Sequence, residues 1–162
     1  MYLWIKLLHI LAAFVFAFLH GASTKVIFRL RKESEPARMA ALLDVSSDYL
    51  GLMYGSLLVM LAAGIALGYM GDLWGSIWLW VSLGLLILLV PAMYGMASMP
   101  LNRVRKALGL PYFEKNKSHS AGEPASPEEI TASVAALKPW LMTGIGYGTL
   151  LLILVLMVIK PF

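Results

Sequence analysis

Residues 73–99 read LWGSIWLWVSLGLLILLVPAMYGMASM, a run without one charged side chain. As an α-helix rising about 1.5 Å per residue, such a run exceeds the roughly 30 Å hydrocarbon core of a bilayer. Three further apolar runs lie at about Leu3–Phe28, Tyr49–Met70 and Trp140–Ile159. Because the runs are continuous and do not alternate in polarity, they predict helices, not the strands of a membrane barrel. The predicted fold is all-α: a transmembrane four-helix bundle that forms a single integral membrane domain over residues 1–162.

The composition of the chain also indicates a lipid environment. Hydrophobic residues make up 60% of the chain and charged residues 14%, whereas a soluble domain carries roughly 25% charged residues. The absence of cysteine excludes disulfides, iron–sulfur clusters and covalently attached c-type haem. The amino terminus has neither a basic n-region nor a small-residue cleavage site, so we expect it to remain as the first span and not to be removed as a signal peptide.

Basic residues concentrate in two connections between the predicted helices. The segment Lys25–Ala41 and the connection 100–139 hold all but two of the 13 lysines and arginines, and the two others are Lys6 and Lys160. The positive-inside rule therefore predicts that both connections are cytoplasmic and both termini periplasmic, in a bacterial inner membrane. Since this charge is explained by topology, no nucleic-acid partner is expected.

The long connection after the third helix divides into two parts. Residues Asn116–Ala125 are polar, and we expect them to be mobile. Ser126 then has the features of an N-cap, followed by Pro127 at the first helical position and Glu129 completing a capping box. This pattern predicts a short helix that ends near Lys138, so the connection is partly helical.

Glycines at small-x-x-x-small spacing predict close helix contacts in lipid, where apolar area alone cannot hold helices together. The patterns are Gly51/Gly55, Gly64/Gly68 and Gly144/Gly148. We expect Gly55 and Gly148 to lie at contacts within the chain or, alternatively, at a dimer interface. The lipid bilayer is the first partner, and a homodimer or a larger membrane complex is the second.

The third span contains a proline and a methionine series. Pro91 removes one backbone hydrogen bond and predicts a kink. Below it, Met93, Met96 and Met99 recur every three residues, and thioethers at that spacing are either ordinary packing or ligands for Cu(I).

Two histidines of the first helix are the candidate functional residues. His9 and His20 are eleven residues apart, which places them on one face and roughly 16 Å apart along the axis. An intramembrane histidine is either hydrogen-bonded to a neighbouring helix or functional. The functional interpretation is axial ligation of haem b, for which a methionine, Met53 or Met60, water or another chain would supply the second ligand.

Two aspartates stand where the second helix enters the membrane. Asp44 and Asp48 are one helical turn apart, and we expect an ion pair with Lys25 or Arg29. The alternative is a proton path through Asp48 and His20.

The first ten residues, MYLWIKLLHI, resemble the start of the small membrane protoporphyrinogen oxidase of bacterial haem synthesis, and Val158–Phe162 resembles the carboxyl end of that family. The four-span layout also looks like the copper-resistance membrane domain and related uncharacterised integral membrane families. The resemblance implies that His9 is the haem-associated histidine, the axial ligand of the haem iron, with Lys6 beside it. Unlike the oxidase family, this chain has neither histidine nor lysine in Leu73–Met99.

The sequence leads to one functional hypothesis and two alternatives. The hypothesis is a small inner-membrane protein with a haem b- or porphyrin-associated redox role, in which His9, His20 and Lys6 form the cofactor site. The first alternative is a non-enzymatic accessory or assembly subunit of a larger membrane complex. The second is copper handling through histidine and methionine.

Overall fold

The computed structural model describes residues 1–115 and 117–161. Its α-helices are α1 (Tyr2–Leu30), α2 (Pro36–Met70), α3 (Ile77–Met93), α4 (Met99–Ala107), α5 (Pro127–Ala135) and α6 (Pro139–Ile159). A π-helical turn, Tyr94–Ser98, joins α3 to α4, and strands β1 (Tyr112–Glu114) and β2 (Lys117–His119) pair antiparallel. Asn116, the first residue of the segment expected to be mobile, and Phe162, the last residue of the chain, lie outside the described residues.

Four helical stretches are long and apolar enough to cross a membrane, which confirms the all-α four-span architecture. The largest differences from the predicted boundaries occur at two places. α2 begins at Pro36, well before Tyr49, and the third span continues through α4 to Ala107. Hydropathy misses these extensions because they are amphipathic; in α2, for example, the buried residues Met39, Leu43 and Ser46 recur on one face between polar positions.

The membrane-spanning helices pack as two pairs, which contact each other where α1 meets α6. α1 runs along α2, α3 runs along α6, and α1 also touches α6. A small cluster of Phe16, Leu57 and Leu86 lies between the spans. We call the end of the bundle that carries residues 31–35 and 108–138 the basic end. We call the end with the α2–α3 turn the tryptophan end, because Trp74 and Trp80 pack there with ring centroids 5.6 Å apart.

A larger hydrophobic cluster closes the basic end. It comprises Ile27, Leu30, Met39, Leu43, Val104, Leu108, Val134, Leu137 and Met142. The cluster therefore joins the ends of α1 and α4, the starts of α2 and α6, and one face of α5. Outside the hydrocarbon layer, water restores the hydrophobic driving force that lipid removes, so this cluster is the part of the molecule that folds like a soluble core.

Pro91 lies inside α3, and the helical hydrogen-bond pattern changes shortly after it. Proline has no N–H to donate, so one carbonyl of the preceding turn loses its helical partner. The π turn Tyr94–Ser98 follows at once. π turns inside helices are a recognised cause of bending. The hydrogen-bond pattern therefore departs from the α-helix just after the predicted kink, and the bend itself stays a prediction.

The long connection contains more regular secondary structure than its polar sequence indicates. The predicted mobility of Asn116–Ala125 stays a prediction. The predicted N-cap is confirmed, since the Ser126 hydroxyl accepts a hydrogen bond of 3.3 Å from the N–H of Glu129 and Pro127 begins α5. The helix ends at Ala135 and not at Lys138. The β1–β2 hairpin was not predicted. It pairs Tyr112 with His119, and the two rings stack 4.7 Å apart.

An ion pair fastens α4 to α2 at the basic end. Arg105 donates to Asp44 Oδ1 at 2.9 Å, and its Nε donates to the carbonyl of Pro111 at 2.7 Å. The prediction that Asp44 pairs with Lys25 or Arg29 is therefore wrong. The partner is Arg105, because α4 lies next to Asp44 in space although it is distant in sequence.

The glycine patterns divide between contacts and open positions. A Cβ atom built on Gly55 or Gly148 would meet no other atom within 4 Å, so the prediction of a helix contact within the chain is wrong for these two, and the alternative of a dimer interface stays a prediction. A Cβ atom on Gly64, Gly68 or Gly146 would instead press against a histidine or tryptophan ring. Helix rotation, which the x-x-x spacing leaves undefined, decides which glycines face inward.

Candidate functional site

His9 is held against α2 by a hydrogen bond to the backbone. Its Nδ1 lies 2.8 Å from the carbonyl oxygen of Met60. A carbonyl oxygen only accepts, so Nδ1 carries the proton and, in the neutral ring, Nε2 keeps its lone pair. The ring can approach because position 64 is glycine: a Cβ there would stand 3.1 Å from Cε1 and 3.3 Å from Nδ1 of His9.

Lys6 lies one helical turn from His9 towards the amino terminus. Its side chain is exposed and makes no ion pair within the described part of the chain. The ammonium group is therefore free to meet an acidic group of a ligand bound beside His9, or to reach the interface at the tryptophan end.

His20 faces a different helix and is more deeply enclosed. Its side chain is 5% exposed, and its ring packs against Gly146 of α6, where a side chain would collide with it. Tyr147 contacts the ring edge-on at 5.2 Å between centroids, and Phe16 stacks beside it at 6.4 Å. Nε2 has no hydrogen-bond partner among residues 1–115 and 117–161.

The structure does not bring the two histidines into one pocket. His9 contacts α2 and His20 contacts α6, at different levels of α1. The predicted site of His9, His20 and Lys6 therefore separates into two parts. One is a half-buried imidazole with a lysine one turn away, and the other is a buried imidazole enclosed by aromatic rings. No hydrogen bond engages Nε2 of His9 among the described residues, so the first arrangement offers a donor atom of the kind that a haem iron needs. A haem does not fit the second, where the space next to Nε2 is occupied by the backbone of α6.

The candidate second ligands are packing residues in this structure. The side chains of Met53 and Met60 pack partly buried against the cluster of Phe16, Leu57 and Leu86. Met60 nevertheless contributes to the site, since its carbonyl is the group that orients His9. Sequence reasoning missed this role because a backbone acceptor leaves no signal in residue identity.

The methionine series of the third span is divided between packed and exposed side chains, and copper binding by it stays a prediction. Met93 and Met96 pack against the basic-end cluster, whereas Met99 is 44% exposed. Within the described residues no three His, Asp or Glu side chains come together as metal ligands. Asp48 is exposed, whereas Nε2 of His20 lies against Gly146 of α6. A proton path between the two residues stays a prediction.

Tyr147 is the contact residue that sequence reasoning overlooked. Its hydroxyl lies against Gly21, where a Cβ atom would collide with it, while its ring touches His20. The glycines at positions 21 and 146 are thus the places where α1 and α6 admit each other's aromatic and imidazole side chains. The role of these two glycines can be recognised only when α1 and α6 are seen packed together.

A family model described as predicted integral membrane protein (DUF2269) matches residues 3–161. No curated protein and no solved structure matches the chain. The resemblance of the chain ends to the protoporphyrinogen oxidase family gains no support from these comparisons and stays a prediction. The four helices long and apolar enough to cross a membrane agree with that description. Because the match extends over nearly the whole sequence, the chain belongs to the DUF2269 family of integral membrane proteins.

Proposed function

We propose that this protein binds haem b, or a closely related porphyrin, through the Nε2 atom of His9 and has a redox role in the membrane. The observation that carries the proposal is the hydrogen bond from His9 Nδ1 to the Met60 carbonyl. Histidines that ligate metals almost always donate their other ring N–H to a carbonyl or carboxylate, which fixes the tautomer and the ring orientation. His9 already has this arrangement.

Each residue of the site has a defined part in the proposal. The Met60 carbonyl orients the imidazole and raises its basicity, and Gly64 leaves room for the ring beside α2. Lys6 offers a positive charge to a propionate group, an attraction that strengthens away from bulk water. When bound, haem supplies one-electron chemistry that the side chains lack. With no second histidine facing the site, the iron would be five-coordinate or take methionine, water or a group from a second copy.

The proposal includes an orientation. The basic end, which carries all but two of the lysines and arginines, would face the cytoplasm, and the tryptophan end with both termini would face the periplasm. His9 then lies in the outer half of the bilayer and His20 in the inner half.

The test is the visible spectrum of the detergent-purified protein, expressed with ample haem supply and recorded before and after dithionite. A Soret band that shifts on reduction is expected in the parent and in His20→Ala, and its loss is expected in His9→Ala. Gly64→Ala should shift the band or weaken retention, because the new methyl group pushes the ring from its carbonyl partner. Gly55→Ala, on the same helix but in open space, is the matched control. Haem retained with an unchanged spectrum in His9→Ala would exclude this residue as the ligand.

The accessory-subunit alternative is favoured by a separate observation. An apolar groove of about 690 Å³ lies between α1 and α2 and is lined by residues that include Phe14, Phe18, Gly51 and Gly55. Open glycines in such a groove admit the backbone of another helix. A preparation that stays colourless would favour this alternative. Gly55→Leu should then reduce the size of the complex extracted from native membranes in mild detergent, whereas Gly75→Leu, at another open glycine, should not.

A further inference from the structure

A cleft of about 690 Å³ lies at the basic end, away from both histidines of α1. One wall is α4, and the opposite wall is α5 with the segment that precedes it. Gly109, with φ +70°, permits this shape, because a Cβ there would stand 2.6 Å from the carbonyl oxygen of Gly122. Backbone bonds from Gly122 to Gly109 (3.1 Å) and from Ala125 to Ala107 (2.8 Å) fix the segment against the end of α4. The cleft has the size of a small-molecule site.

The two walls of the cleft carry opposite charges. Arg103 and Lys106 lie one turn apart on α4, and Glu123 and Glu129 lie on the other side. Among the described residues, no ion pair within 4.0 Å joins the two walls, and the carboxylate nearest to Lys106 is that of Glu114, at 3.8 Å. Opposite charges that face each other without meeting are complementary to a ligand that carries both signs.

Arg103 is the cation that is available to such a ligand. Lys106 is engaged, since its ammonium lies 3.8 Å from the Glu114 carboxylate and 5.4 Å from the centre of the Tyr112 ring. The Arg103 guanidinium has no ion-pair partner within residues 1–115 and 117–161. Its planar fork of N–H donors matches the oxygens of a phosphate group.

The height of the cleft places it near lipid head groups. The stretch Ile77–Ala107 has 31 residues and is therefore about 46 Å long. If the hydrocarbon core begins at Ile77, about 30 Å of this length lies within it, and Arg103 stands about 9 Å beyond. Head groups occupy about 5–8 Å on each side of the core. The extended arginine side chain spans the remaining distance.

We propose that this cleft binds a zwitterionic head group, with its phosphate on Arg103 and its primary ammonium on Glu123 and Glu129. A phosphoethanolamine lipid of the leaflet at the basic end carries this chemistry, and so does free phosphoethanolamine. A lipid bound there would connect α4 to α5 across the cleft. This proposal does not depend on haem binding.

The experiment uses the full chain, delipidated in detergent and examined by native mass spectrometry with short-chain phosphatidylethanolamine and phosphatidylglycerol. Phosphatidylethanolamine should bind more tightly, and Arg103→Gln should weaken it about tenfold, the effect of losing one charged hydrogen bond. Arg31→Gln removes an exposed arginine at the same end of the bundle and should leave binding unchanged. Glu129→Gln should reduce the preference for phosphatidylethanolamine over phosphatidylglycerol, because only the former carries an ammonium.

Competition identifies the source of the head group and exposes failure. Free phosphoethanolamine that displaces the lipid at equal concentration would assign the site to a soluble ligand, whereas displacement by lipid alone would assign it to the membrane. The proposal is overturned if Arg103→Gln binds like the parent protein. Equal binding of both lipids, or displacement by inorganic phosphate as effective as that by phosphoethanolamine, would overturn the two-charge recognition.

Discussion

Gly146 is the position at which α6 has least room for a side chain. A Cβ atom there would stand 2.8 Å from Cε1 of His20 and closer still to its Nε2, whereas real Cβ contacts essentially never fall under 3.0 Å. The His20 ring cannot move aside cheaply, because Phe16 and Tyr147 lie against it. Overpacking of this kind costs about 1–3 kcal/mol. We therefore expect Gly146→Ala to lower the free energy of unfolding by about this amount relative to a matched control.

The same helix contains two such controls. Gly144 and Gly148 have nothing within 4 Å of a built Cβ, so alanine fits at both. Glycine-to-alanine changes at compatible sites stabilise by about 0.4–1 kcal/mol through the unfolded chain. This gain is common to all three variants and cancels when they are compared, which leaves the collision with His20 as the difference.

The assay is unfolding by sodium dodecyl sulfate in mixed micelles, followed by far-ultraviolet circular dichroism. Gly146→Ala should unfold at a lower detergent fraction than Gly144→Ala or Gly148→Ala. In a double-mutant cycle, His20→Ala should recover most of the loss, because the ring that the new methyl group strikes is gone. If Gly146→Ala unfolds with the two controls, or if His20→Ala gives no recovery, the packing of α1 on α6 described above is refuted.

Three further predictions concern the basic end and the topology. Arg105→Gln should lower the free energy of unfolding by about 1–2 kcal/mol, since a side chain that is 16% exposed loses its hydrogen bonds to Pro111 and Asp44. Asp44→Asn should lower it by less than about 1 kcal/mol in the same assay, because the Asp44 side chain is 64% exposed. Ser126→Ala should lower the free energy of unfolding by about 0.5–2 kcal/mol, because it removes the N-cap of α5. Ser120→Ala is the control, and an equal or smaller loss in Ser126→Ala would contradict the capping role. An impermeant thiol reagent applied to intact spheroplasts should label a cysteine in the α2–α3 turn and spare cysteines in the two basic connections, and the reverse pattern would invert the proposed orientation. The variants for this test are Asp72→Cys, Ser34→Cys and Ser118→Cys.

The sequence alone determined the features that depend on local chemistry. The four spans follow from runs of apolar residues long enough for a bilayer, and no tertiary contact is needed to recognise them. The start of α5 was equally readable, because a capping serine and its glutamate lie three residues apart. The β1–β2 hairpin was not predicted because its strands are polar and only three residues long, too short to show an alternation of apolar and polar residues.

The tertiary structure decided which residues meet. Successive residues of a helix are turned by about 100°, so Gly144 and Gly148 share one face and Gly146 lies on the other. Sequence spacing cannot tell which face is inward, and the glycine pattern was accordingly assigned to the wrong face of α6. The ion pair of Asp44 with Arg105 also depends on tertiary structure. Charge identifies the candidate partners of Asp44, but only the approach of α4 to α2 selects Arg105 among them.

The candidate site divides in the same way. That His9 and His20 lie within a span is a property of sequence, as is the cost of placing an imidazole there. That His9 donates to the Met60 carbonyl, while His20 is closed in by α6, depends on how α1 is rotated between its two neighbours. This rotation is set by the fit of glycines, rings and backbone across both interfaces, a property of the packed helices that no single stretch of the chain contains.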